Sequence, residues 1–274
     1  MALARLNGGR MWAEEEFLPA IVALRLDTVK GVFSYAGRGY LRTHANRDNY
    51  HIVEEVGGRT FDLYLKRHRG FQLKEALKLL AAESPFLTAG RREWDSIATV
   101  AALGIPTMRR VAYGEAKLAF FELRSFVMTE RIPAATPADR YIQEHFSGRM
   151  TAAAGREKRA LLWDIGGLVR RLHGAGLTHM DLYLNHIFVR QTPSGETLLH
   201  LIDLQRVARR RFWRRRWIVK DLAALIYSAR DLPLSRTDMA RVFMAYFDGH
   251  ILPKDRVLLR AALRRERRMA AHSG

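Results

Sequence analysis

The chain has 274 residues, 48% of them hydrophobic, enough for one large domain or two lobes around a cleft and too many for general disorder. It has no cysteine, which excludes disulfides and cysteine-ligated zinc or iron–sulfur centres and fits a reducing compartment. Lys and Arg number 46 against 28 Asp and Glu, a net charge of +18, so an anionic partner is expected: nucleic acid, an acidic membrane face or a phosphorylated substrate.

At the N-terminus, Glu14 to Glu16 stand where the apolar region of a signal peptide would have to build up, so none is expected. No window approaches about 18 uninterrupted apolar residues, the length a membrane-spanning helix needs. The expectation is a soluble chain that can lie against a membrane.

Residues 29–67 read as strands broken by glycine. "VKGVFSYAGRGYLRTH" predicts a strand, a turn at Gly37-Arg38-Gly39 and a second strand. "GGRTFDLYLKRH" predicts a turn at Gly57-Gly58, then alternation that puts Phe61, Leu63 and Leu65 on one side and Lys66 on the other. A helix is expected over 72–82, stopped at Ser84-Pro85. In "REWDSIATVAALGIP", Trp94, Ile97, Val100 and Ala101 recur at helical spacing, with Gly104 as C-cap and Pro106 beyond it. "FFELRSFVMTERI" reads as a strand leaving the first half.

From about residue 131 the pattern turns helical. "EKRALLWDIGGLVRRLHGAG" is an amphipathic helix stopped by glycines. "HMDLYLNHIFV" follows, then a turn at "TPSG", a buried strand "LLHLIDL", an arginine-rich segment and the helix "VKDLAALIYSA". Strands first and helices second predict an α+β fold of two lobes around a cleft. Residues 1–130 would form a small β-rich N-lobe, and residues 131–274 a mostly helical C-lobe that carries the basic segments.

Phosphoryl transfer from ATP needs few protein groups, and candidates occur in order along the chain. A lysine must hold the phosphates: Lys66 ends "LYLK". Glu93, on the next long helix, could pair with it. A carboxylate must orient the attacking hydroxyl and accept its proton: Asp181 sits in an H-x-D sequence. Another must hold Mg²⁺, which favours oxygen ligands: Asp203 follows a buried strand. Asp221 could brace the catalytic loop, and His173 reads as a structural residue at a helix end. The Gly37 and Gly39 loop could cover the ATP phosphates with backbone N–H groups, and an ordinary hairpin turn is the plain alternative. Glu130, where the lobes should join, marks the expected adenine contact.

Taken together, "LYLKRHRG", "EWDSIATVAALGIPTMRRVAYGE", "SFVMTERI", "LHGAGLTHMDLYLNHIFV", "LHLIDLQRV" and "RWIVKDLAALIYSA" resemble the lipopolysaccharide core heptose kinases, a bacterial branch of the protein-kinase-like fold. The match spans about residues 30 to 230. It implies an ATP- and Mg²⁺-dependent kinase acting on a sugar hydroxyl of the lipopolysaccharide inner core. It also implies that His186, five residues after Asp181 where protein kinases carry Asn, is the family's own residue. His186 either approaches a second metal or only hydrogen-bonds within the loop. Met180 replaces the arginine that pairs with a phosphorylated activation loop, and "DLQ" replaces D-F-G. Both favour a constitutively formed site for a non-peptide acceptor.

"RRRFWRRRW" holds six arginines, Arg209 to Arg211 and Arg214 to Arg216, with Trp213 and Trp217. "RVLLRAALRRERR" adds a basic helix with Leu258, Leu259 and Leu263 on an apolar side. At about 1 kcal/mol per basic residue near an anionic leaflet, six could give about 6 kcal/mol, enough for reversible attachment. The expected partners are a lipid-linked core oligosaccharide and the anionic inner-membrane surface, with the protein cytoplasmic and peripheral. RNA binding would use the same charges. The rivals are a kinase of this fold with another small-molecule or protein acceptor, and an inactive kinase-like module binding membrane or RNA.

Overall fold

Alternating apolar residues in the first half of the chain make strands, and 3.6-residue periodicity in the second half makes helices. The computed structural model describes residues 2–37, 40–44, 46–69, 88–117, 123–209 and 214–272, with only the backbone described for 40–44, 117 and 123. The expected helix over 72–82 and its stop at Ser84-Pro85 lie outside the described residues, as do Arg38, Gly39, Arg210, Arg211 and Trp213. The chain divides into two units. Among the described residues, one is drawn from Met1–Leu80, Ser84–Ala98 and Met108–Ile132, the other from Thr99–Thr107 and Pro133–Gly274.

The first unit runs β1 (Leu3–Leu6), β2 (Met11–Glu14), α1 (Leu18–Ala23), α2 (Val29–Ser34), β3 (Tyr40–His44), β4 (Arg47–Val56) and β5 (Arg59–Arg69). It continues with the start of α3 (Ala89–Ala102), then β6 (Arg110–Lys117) and β7 (Leu123–Glu130). Its described strands form one sheet in the order β1-β2-β6-β7-β5-β4-β3. Every pairing is antiparallel. The β4–β5 hairpin closes through Gly57 and Gly58, both at positive φ (60° and 76°). A two-residue turn of this hand suits glycine and matches the strand twist.

Strand alternation divides the two faces. Phe61, Leu63 and Leu65 are buried with Met11, Phe17, Ile21, Val32, Ile52, Phe126 and Met128. On β5 this leaves Lys66 facing the other way, paired across the ladder with Val127. Val127 belongs to a smaller cluster with Tyr113 and with Trp94 of α3. The lysine and the helix that follows therefore share one side of the sheet.

Residues 29–34 are helical, not the expected strand. Val29 and Val32, one turn apart, both bury, and Thr28 Oγ1 caps the helix by accepting from Gly31 N at 2.9 Å. Its β-branched residues resemble a strand, but their spacing and the cap are those of a short helix. Gly37 consequently follows α2 and precedes β3. The hairpin beside Lys66 is β3–β4, closing at His44 and Arg47, with Asn49 paired to Lys66.

The second unit runs β8 (Ala135–Pro137), α4 (Ala138–Phe146), α5 (Ala152–Gly174), β9 (Leu177–Thr178), β10 (Ile187–Gln191), β11 (Thr197–Leu201), β12 (Ala208–Arg209), α6 (Arg214–Ser228), α7 (Arg236–Tyr246) and α8 (Pro253–Ala271). A three-stranded sheet β11-β10-β8 and the pair β12-β9 carry the segments around Asp181 and Asp203. Long α5 packs on α7, and α6 on α8. On α8 the inward residues are Ala262 and Glu266, whereas Leu263 is 40% exposed and Leu258 and Leu259 are half-buried. The apolar leucine side is thus largely outside the core. Small Ala262 turns inward, and Glu266 reaches Arg230 at 3.7 Å.

Close approach of α5 and α7 depends on Gly166, where a Cβ would run into Val242 O and Ala245 Cβ. At Gly167 a Cβ would meet nothing within 4 Å. Gly166→Ala should destabilise the protein by about 1–3 kcal/mol through overpacking, while Gly167→Ala should be neutral or stabilise by roughly 0.5–1 kcal/mol. Urea unfolding midpoints of the two variants check this, and equal effects would refute the packing argument.

Candidate active site

In the strand-rich unit, Lys66 Nζ lies 2.6 Å from Glu93 Oε1. Glu93 is fully buried and Lys66 retains 17% of its side-chain exposure. A lysine held by a buried carboxylate is positioned, not merely solvated. The pairing expected from the order of the residues is present.

In the helical unit, the loop after β9 is built around Asp221 of α6, which is completely buried. Its Oδ2 accepts from His179 N at 2.7 Å and its Oδ1 from Met180 N at 2.7 Å. His173 Nε2, at the end of α5, stands 3.2 Å from Oδ2, and its Nδ1 stands 2.9 Å from the Tyr246 hydroxyl. Asp221 therefore braces the loop backbone, and His173 is a structural link between helices. Arg214 of α6 donates to His173 O, a cation satisfying a helix C-terminus.

Met180 has a φ of 72°, an unusual value for an unbranched apolar residue, and its side chain is buried. Its N–H is fixed by Asp221 and its carbonyl accepts from Lys220 Nζ. Neighbouring residues of one helix thus grip both ends of one strained residue, and such strain collects at functional sites. His179 is buried and donates from Nε2 to Ile202 O at 2.9 Å. Burial lowers its pKa and keeps it neutral. This ties the loop to the strand end that carries Asp203.

Asp181 follows directly. Arg206 Nη1 donates to its Oδ1 at 3.0 Å and its Oδ2 at 2.7 Å, and Lys220 Nζ stands 3.4 Å from Oδ1. Burial lowers the Lys220 pKa, an effect opposed by the Asp181 charge and reinforced by Arg206. Burial raises the Tyr183 pKa, with the charge of Asp181 adding to it and Arg206 and Arg265 opposing it.

Asp203 adopts the left-handed conformation (φ 56°, ψ 55°), a second strained position. Its Oδ2 is 3.9 Å from His186 Nε2. His186 Nδ1 is 2.7 Å from Asp181 O. A carbonyl only accepts, so Nδ1 carries the proton, and in the neutral ring the Nε2 lone pair is left on the Asp203 side. The hydrogen bond within the loop is real, and it leaves the second nitrogen available. The geometry suits His186 both as a hydrogen-bond donor within the loop and as a donor toward a metal beside Asp203.

Among the sequence candidates, Lys66 meets Glu93, and Asp181, His186, Asp203 and Asp221 share one unit and one network. Gly37 stands apart from the β3–β4 hairpin, and Gly39 lies outside the described residues. Glu130 N donates to Arg109 O at 3.0 Å. Its carboxylate, 4.0 Å from Arg59 and 3.9 Å from Arg109, has its pKa raised chiefly by burial. Sequence reasoning missed Arg206 and passed over Lys220. Both reach Asp181 across long separations from basic stretches in which no single residue stands out. The adjacency of Lys220 to Asp221 was the available signal.

A profile of the lipopolysaccharide kinase (Kdo/WaaP) family matches residues 34–246. The lipopolysaccharide core heptose(I) kinase WaaP of Pseudomonas aeruginosa is 33% identical over 242 residues, covering 87% of this chain and 83% of that protein. The enzyme of the same name from Escherichia coli is 34% identical over 197 residues, covering 70% of this chain and 72% of that protein. A solved structure described as WaaP in complex with acyl carrier protein superimposes with a TM-score of 0.70 at 26% identity, over 98% of this chain and 99% of that one. The chain belongs to the lipopolysaccharide kinase (Kdo/WaaP) family and is a phosphotransferase with a kinase-like fold.

Proposed function

We propose that this protein transfers the γ-phosphate of ATP to a hydroxyl of a heptose, or a similar sugar, in the lipopolysaccharide inner core. Residues 1–130 act as the nucleotide-holding lobe and 131–274 as the acceptor lobe. The observation that carries the reading is the network on Asp181, with its backbone pinned by Asp221 and its carboxylate beside Arg206 and Lys220. An inactive binding module would have no use for that arrangement.

The roles follow from the chemistry. Lys66, steadied by Glu93, holds ATP phosphate oxygens. Asp181 accepts the proton of the acceptor hydroxyl as its oxygen bonds to the γ-phosphorus and the bond to ADP breaks. Each carboxylate oxygen accepts more than one hydrogen bond, so a sugar hydroxyl can donate to Oδ2 beside Arg206. Arg206 and Lys220 offset the charge that develops as the phosphoryl group passes.

Asp203 and His186 fit a Mg²⁺ site completed by nucleotide. No group of three His, Cys, Asp or Glu among the described residues could hold a metal ion unaided. Mg²⁺ characteristically takes one or two carboxylates and fills its shell with phosphate oxygens and water. The Asp203 carboxylate supplies the oxygen ligand, and the His186 Nε2 lone pair is a second, softer donor on the same side. Mg²⁺, when bound, would neutralise charge on the β- and γ-phosphate oxygens.

No helix among the described residues is long and apolar enough to cross a membrane. The exposed Arg215 of α6 and Arg256, Arg260 and Arg267 of α8 support reversible residence on the anionic cytoplasmic face of the inner membrane, where a lipid-linked core oligosaccharide would be met.

Purified protein with radiolabelled ATP and Mg²⁺ should label dephosphorylated core lipopolysaccharide. Asp181→Asn should lower kcat by roughly 10² to 10⁴ with ATP affinity intact. Full turnover in that variant, or no labelling by folded wild type, would overturn the reading. Lys220 gives a separate test. Its pKa lies below the ordinary lysine value of 10.5, so its charge is lost at lower pH than that of an exposed lysine. The alkaline limb of kcat should reflect that loss, and Lys220→Arg, whose guanidinium stays charged, should move the limb to higher pH. Superimposable pH profiles would remove Lys220 from the reaction.

A further inference from the structure

Between α6 and α8 lies a cavity of about 490 Å³, within the size range of ligand pockets. One stripe of α8 lines it: Ala261, Arg264, Arg265, Arg268, Met269 and His272, spaced at three, four and seven residues. Arg216 and Val219 of α6 face that stripe. Four arginines thus line one concave space together with apolar residues.

None of Arg216, Arg264, Arg265 and Arg268 makes an ion pair with an acid among the described residues. The nearby Glu266 is committed to Arg230 instead. Four like charges gathered without a carboxylate repel one another. An anion would relieve that repulsion.

The cavity also adjoins the chemistry. Arg265 lies near enough to the Tyr183 hydroxyl, two residues beyond Asp181, to act on its charge. Arg216 stands one turn before Lys220 on α6, so a single helix supplies both the cavity and a cation beside Asp181.

We propose that the α6–α8 cavity is an acceptor subsite that binds the anionic groups, phosphates or carboxylates, of the glycan whose hydroxyl is presented to Asp181. This rests on the sugar-kinase reading and deepens it. The groove is open to solvent, and its place on the helix that carries Lys220 favours the acceptor of the reaction over a membrane. Guanidiniums suit such groups because they bind them through two parallel hydrogen bonds. The apolar floor of Val219, Ala261 and Met269 suits the carbon face of a sugar ring.

The test uses full-length protein and a deacylated, acidic core oligosaccharide. Arg265→Gln combined with Arg268→Gln should raise the KM for this acceptor roughly tenfold to a hundredfold, as lost charge-assisted hydrogen bonds imply. The kcat and the KM for ATP should stay near wild type. Calorimetric binding of the glycan without ATP should weaken in parallel. Arg265→Lys, which keeps the charge and loses the fork, should fall between. An unchanged acceptor KM in a folded double variant would overturn the subsite while leaving the kinase reading intact. Arginine-dependent glycan binding without phosphate transfer by wild type would sustain the subsite and sink the kinase reading. Loss of sedimentation with phosphatidylglycerol vesicles, alongside unchanged glycan binding, would assign the arginines to membrane and overturn the proposal.

Discussion

The Asp221 carboxylate is the contact on which the rest of the site depends. A buried carboxylate is tolerable only when its oxygens are well satisfied, and here they accept from His179 N and Met180 N and approach the His173 ring. Those hydrogen bonds hold Met180 at positive φ. Without them that backbone would relax, and Asp181, the next residue, would point elsewhere. The same helix then places Lys220 against Met180 O and Asp181. A single turn of α6 therefore sets both the direction of the loop and part of its electrostatics.

The strand-rich unit solves a simpler problem by simpler means. Alternation along β5 buries Leu63 and Leu65 on one face and turns Lys66 to the other, where Glu93 of α3 waits without solvent. The helical unit gathers cations around the Asp181 carboxylate. Arg206 and Lys220 crowd Asp181, and further arginines line the space between α6 and α8. The excess of +18 is thus partly concentrated where a phosphoryl group and an anionic acceptor would be handled.

How much of this was legible in the sequence depended on the range of the interaction. Periodicity is local, and it located the β5 strand, the α3 and α5 helices and the side of the sheet that Lys66 occupies. Order along the chain was enough to nominate Glu93, Asp181, Asp203 and Asp221. The α2 helix was not legible because its six residues include two valines and a phenylalanine. Strand propensity misleads there, and burial of one helical face decides the outcome. Arg206 and Lys220 reach Asp181 across 25 and 39 residues, and no local pattern distinguishes them from neighbouring basic residues. The N-terminal strands β1 and β2 were missed for a related reason. They are four residues each, and β2, on which β1 pairs, is itself held in the sheet by β6, about a hundred residues away.

The most direct test of the account is Asp221→Asn. The change keeps one acceptor oxygen and sets an amide donor against a backbone N–H, with almost no change in volume. Hydrogen exchange at the His179 and Met180 amides should be measured beside kcat for transfer to the core glycan. The account predicts faster exchange at both amides and a large fall in kcat, with ATP affinity unchanged. Full activity with those amides freely exchanging would contradict it, because Asp181 would then be presented without the brace.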